Sequence, residues 1–144
     1  MDVSELRKRI LHALDAARKD AVTRRTEVDE ASRAYEQFLE NIAAPLLKQA
    51  HAVLRAEQQQ FTVHTPAGSI RLVSDNAPQT FVEFVLDVSP RVPQVLGRVS
   101  LTRGRQGVVV EERPLAPGKP VAELVEDDVA QFLVTEIPKL IVRS

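Results

Sequence analysis

All five glycines of this 144-residue chain lie beyond residue 65, and so do eight of its nine prolines, Pro45 being the exception. Gly and Pro interrupt regular structure more reliably than any other residues. Residues 3 to about 58 are therefore free to form helix, and the rest must be built from short strands, turns and a last helix.

The first segment carries its own helical signals. Glu5/Arg9, Asp15/Lys19, Asp20/Arg24 and Asp29/Arg33 are spaced i, i+4 with the acid first, an order worth a few tenths of a kcal/mol per pair on a solvated helix. A seam of Leu14, Ala17, Ala21, Arg24, Val28, Ala31, Tyr35, Phe38 and Ile42 steps alternately by three and four, like the core positions of a heptad. Val3, Leu6 and Ile10 continue it toward the N-terminus after one irregular step. It is thin in the middle, where alanines and Arg24 stand, and fat from Val28 onward.

Length then limits what such a helix can do. Forty helical residues span about 60 Å, whereas a domain of about 85 residues is roughly 30 Å across. The helix must fold back, pair with another chain, or project. Folding back needs a turn, and Thr23-Arg24-Arg25-Thr26 is the only soft spot, with Thr26 capping a second helix and Asp29 at N3. No Gly or Pro supports that break, so a continuous helix is expected. Pro45 is expected to kink or restart it, and Leu46, Leu47, Ala50, Val53 and Leu54 form a wider stripe suited to a sheet. Residues 1–44 are assigned as a long charged helix and oligomerisation segment, residues 45–144 as a compact α+β domain.

The second segment reads as five strands near 60–65, 69–74, 80–88, 94–103 and 107–112. Thr65-Pro66-Ala67-Gly68 suits a tight turn, and Gly104-Arg105 a two-residue hairpin turn. Phe61, Val63, Ile70, Leu72, Val82, Phe84, Leu86, Val95, Val99, Leu101, Val108 and Val110 make one apolar face. A helix from about residue 126 supplies Val129, Phe132, Leu133 and Ile137 to cover it, and Pro138 should end or kink that helix. The fold class is α+β: a long N-terminal helix, coiled coil or hairpin, then a five-stranded antiparallel meander packed against helices and closed by a C-terminal helix.

Pairing through these turns places Arg71, Glu83, Arg98 and Glu111 in one row of alternating sign on the other face. Opposite charges stabilise directly facing strand positions, and a one-residue slip would scatter the row. Beside it stand Val73, Phe81, Ser100 and Val109, and on its far side Val85 and Leu96. A face meant for water alone rarely holds such a set, and exposed apolar patches commonly meet another surface. The candidate interface therefore comprises Leu14, Val28, Tyr35 and Phe38 on the helix with Val73, Phe81, Val85, Leu96 and Val109 on the sheet.

Chemistry is harder to find. The chain has no cysteine, which removes disulfides, thiolate nucleophiles and Cys-based zinc sites. His12, His51 and His64 lack metal spacing. Glu126-Asp127-Asp128 opens a helix, where acids complement the macrodipole. Gly104-Arg-Gln-Gly107 has the letters of a GXXG loop but joins strands, where the nucleic-acid clamp joins helices. Lys119 lacks the rest of a phosphate loop. Nothing pairs a nucleophile or base with an orienting partner, so no enzyme and no cofactor is expected. Lys plus Arg number 19 against 20 Asp plus Glu, with no basic excess to draw nucleic acid or an anionic membrane. No apolar run spans a bilayer and no signal-type leader opens the chain, so a cytoplasmic protein is expected.

The expected function is a non-enzymatic protein–protein interaction module, an adaptor, chaperone-like protein or assembly factor. Its partner is expected to be a second copy of itself, as a homodimer or small oligomer, or another protein. The alternative is a small-ligand module with a pocket between sheet and helices. A third reading is phosphate or nucleic-acid binding through the loop residues Arg91, Arg103 and Arg105.

Overall fold

A computed structural model describes residues 1–141. Helix α1 runs from Val3 to Phe38 and is capped by Asp2, whose carboxylate accepts from the Ser4 N–H at 3.2 Å. It passes through a π-helical turn at Leu39–Ala43 into α2, Ala44–Ala56. The helix is continuous through Thr23–Thr26, where the Thr26 hydroxyl donates back to the Val22 carbonyl at 3.1 Å and caps nothing. Together the segments span about 80 Å. Glu5–Arg9 and Asp15–Lys19 form the ion pairs expected of them. Among the described residues Asp29 and Arg33 form none, and Arg24 turns elsewhere.

The bend has a local cause. Pro45 sits in the first turn of α2, has no N–H to donate, and would crowd the carbonyl one turn back. The preceding turn widens, so that Ala44 N–H bonds Leu39 O, five residues away. Single π turns of this kind absorb a register shift without breaking a helix.

The strands β1 (Phe61–His64), β2 (Ile70–Ser74), β3 (Phe81–Asp87), β4 (Gln94–Thr102) and β5 (Val108–Pro114) form one antiparallel meander in sequence order. Helix α3, Glu126–Ile141, follows a short turn at Val121–Glu123. It continues through Pro138 to Ile141, so of the two expected effects of that proline, an end or a kink, the end does not occur. The carbonyl that Pro138 leaves unpaired is that of Val134, which stands 72% exposed and so faces water.

In the first three pairings Arg71 stands opposite Glu83 and Glu83 opposite Arg98. The fourth differs from expectation by one residue. Arg98 faces Glu112, not Glu111. The connection is a three-residue turn, Gly104–Gln106, closed by Arg103 N–H donating to Gly107 O at 2.9 Å. Gly107 there adopts φ +72° and ψ −146°, backbone angles that glycine reaches without the steric cost of a Cβ. The slip turns β5 over. Val109 lies on the helix side beside Leu101, and Val108 and Val110 join the outer face. Val109 is accordingly withdrawn from the outer patch.

The core lies between the inner sheet face and the helices. Leu47, Leu72, Val82, Phe84 and Val129 are fully buried. Tyr35, Phe38, Phe84 and Phe132 form a chain of aromatic contacts running from α1 through the sheet to α3.

Candidate interaction surfaces

Up to Thr23, every residue of α1 is exposed. The apolar seam is nevertheless present there, with Val3 82%, Ile10 50% and Leu14 45% exposed. Arg24 marks the point where the helix meets the body. Its guanidinium donates to the carbonyls of Arg91 at 2.8 Å and Pro90 at 2.9 Å, and to that of Val88. A planar fork of donors suits a loop that offers several carbonyls at once.

Below Arg24 the seam is consumed within the chain. Val28 and Ala31 are half-buried, and Tyr35 and Phe38 are in the core. The Tyr35 hydroxyl lies 2.7 Å from Gly68 O and 3.1 Å from Phe84 O, sharing one proton between them. Burial, and then the nearby Glu83 charge, hold its pKa well above the ordinary value, so it stays a donor. Of the four helix residues put forward from the sequence, Leu14 alone is exposed.

Among the described residues no helix covers the outer face of the sheet. Across it runs the row His64, Arg71, Glu83, Arg98, Glu112. Glu83 is only 3% exposed although its two arginine partners are each 40% exposed. Arg71 pairs with one carboxylate oxygen, which also accepts from the Ser69 hydroxyl at 3.1 Å, and Arg98 approaches the other at 3.5 Å. Arg98 also reaches Glu112 at 3.2 Å. The row on one side is Val73, Phe81, Ser100 and Val110, and on the other Val85, Leu96 and Pro114. Phe81 is half-buried beneath Arg71, whose guanidinium lies 4.6 Å above its ring. Val110 is 53% exposed. The sequence pattern had located this face; the odd loop length before β5 hid Val110.

The loop arginines do not converge. Arg91 precedes β4 while Arg103 and Arg105 follow it, which separates them by about 30 Å of strand. Arg103 reaches Glu111 at 3.4 Å. His12 and His64 are exposed, and His51 is half-buried. Among the described residues no group of His, Asp and Glu could hold a metal ion, and no helix is long and apolar enough to cross a membrane. Between sheet and helices lies the cluster of buried side chains, with a cleft of about 240 Å³ at its edge lined by Phe61, Ser74, Leu140 and Ile141. The best-formed cleft, about 260 Å³, lies outside it, between α1, Arg91–Pro93 and the Val121 turn.

No protein-family model, curated protein or solved structure matches this chain. Its surfaces must be argued from their own chemistry.

The acidic start of α3 is structural. Asp128 accepts from the Val125 N–H at 2.9 Å and from Lys119 at 2.7 Å, the reciprocal half of a capping box. Burial works to raise its pKa, but these two bonds outweigh it and hold the carboxyl below its usual range. A depressed folded pKa means stability that is complete above the unfolded Asp value, near 3.9, and is lost as pH falls through the lower folded value. Asp128→Asn should cost about 1 kcal/mol at pH 7. In urea titrations the gap from the parent should close as pH is lowered below the unfolded Asp value; a gap independent of pH would refute the assignment.

Proposed function

We propose that this protein is a non-enzymatic interaction module that self-associates through the projecting end of α1. The observation that supports this is the seam itself. One apolar stripe runs from Val3 to Phe38; its lower half is buried by the chain's own body, and its upper half stands in water. Such a stripe is expected to be covered, because contiguous exposed apolar surface of this kind marks association sites. The stalk also suits self-association electrostatically. Asp2, Glu5, Asp15 and Asp20 nearly balance Arg7, Lys8, Arg9, Arg18 and Lys19, so two copies do not repel through net charge. Scaffold or adaptor duty, with the body held away from the junction, follows from such a shape.

Replacing Ile10 and Leu14 together by glutamate should test it. Neither residue touches the body, so the urea midpoint of the body should hold while the mass by light scattering falls to that of one chain. A mass equal to that of the parent would refute the proposal. A second reading is favoured by Val110 and Phe81 on the open sheet face. It predicts that Phe81→Glu, not the stalk substitution, produces the monomer.

A further inference from the structure

Resting on that self-association, we infer that the stripe of Val3, Leu6, Ile10, Leu14, Ala17 and Ala21 is covered by the same stripe of a second copy laid antiparallel, with the two-fold axis beside residue 12. Arg24 binds the β3–β4 loop and Tyr35 binds Gly68 and Phe84, so the body lies on the seam side of the helix. A partner helix running parallel along the exposed stripe would continue straight into that loop. Two bodies attached at the same end, each on the side facing the other, collide. Antiparallel packing sends each body past the other's first turn, and the β3–β4 loop limits how far the partner slides.

Side-chain volume gives the same answer independently. The stripe is large at its N-terminal end and small at the other. In-register parallel pairing sets Ala17 against Ala17 and Ala21 against Ala21, leaving the thin half poorly filled. Antiparallel pairing about residue 12 sets Val3 against Ala21, Leu6 against Ala17 and Ile10 against Leu14. Facing large with small residues fills a helix interface evenly. The contact is about 27 Å long. Parallel pairing would add one exposed ion pair, Asp20 with the partner's Arg25, but such pairs contribute little and cannot offset a collision.

The absence of cysteine makes the test direct. Val3→Cys and Ala21→Cys are prepared separately in the full chain, refolded alone or as an equal mixture, and mildly oxidised. Non-reducing electrophoresis is read beside light scattering of the unoxidised samples. The expected result is a cross-linked dimer in the mixture, at least ten-fold more abundant than in either variant alone. Efficient cross-linking of Ala21→Cys to itself in a dimer would overturn the antiparallel arrangement while leaving self-association intact. Dimeric mass without any cross-link would place the contact away from the stalk and overturn both. A monomeric parent chain would remove self-association, and the arrangement with it.

Discussion

Replacing Gly97 by alanine is expected to destabilise the fold by about 2–3 kcal/mol, the upper part of the range for overpacked cores. A Cβ at this position would lie 2.3 Å from two carbons of the Phe132 ring and 2.9 Å from a third, closer than any side chain tolerates. Nor can the ring retreat cheaply. Phe132 is 1% exposed, makes an edge contact with Phe84 at 5.6 Å, and carries the Arg113 guanidinium 4.5 Å over its face. Arg113 is in turn held by Glu136 of α3 at 3.2 Å. Pushing Phe132 outward therefore disturbs the seat of the whole helix. The effect is read as a lower urea midpoint. Phe132→Leu alone should also destabilise, by opening a cavity. In the background of Gly97→Ala its cost should shrink, because the smaller side chain vacates the contested space; the double-mutant cycle reports that coupling. A Gly97→Ala variant as stable as the parent would mean that α3 does not sit on β4 in this way.

The second large effect concerns Glu83. Glu83→Leu should cost about 2 kcal/mol, less than the 3–5 typical of breaking a fully buried pair. The discount reflects the 40% exposure of Arg71 and Arg98, which lets water reach the charges left behind. Ser69 also loses its acceptor. Replacing Arg71 and Arg98 by methionine in the same chain should recover most of the loss, since a packed apolar set often equals a buried ion network in stability. Urea titration of the two variants beside the parent decides it. Were Glu83→Leu neutral, the row would be a solvated decoration of the sheet. Were the triple substitution as damaging as the single one, the row would contribute stability as well as register.

That row was legible before any coordinates. The alternation of Arg71, Glu83 and Arg98 pinned two strand pairings, and the partition of Gly and Pro separated helix from sheet. Both are local signals. A helix needs the absence of breakers over many consecutive residues, and neighbouring strands joined by short turns pair residues at nearly constant sums of their numbers. Such information sits within a few residues of where it acts, so it survives in the bare chain. The long N-terminal helix was legible as a stripe of apolar positions for the same reason.

What the chain could not disclose depends on non-local distances. The body is deep enough to cover the seam up to Arg24 and no further, which decides that Tyr35 and Phe38 belong to the core and Leu14 to the outside. Apolar residues recur at helical spacing on both sides of that point, so periodicity alone does not say where the body stops, although the seam widens from Val28. The β4–β5 register turned on one residue, Gly107, adopting a positive-φ conformation where a shorter turn was equally compatible with the letters. The match of Gly97 to Phe132 joins residues 35 positions apart, and a strand glycine states only that something comes close. Local pattern along the chain was enough to tell helix from strand and, β5 excepted, to say which faces are apolar. Which of those faces the molecule buries against itself and which it leaves exposed came from the packing, because that depends on how far packed elements reach in space.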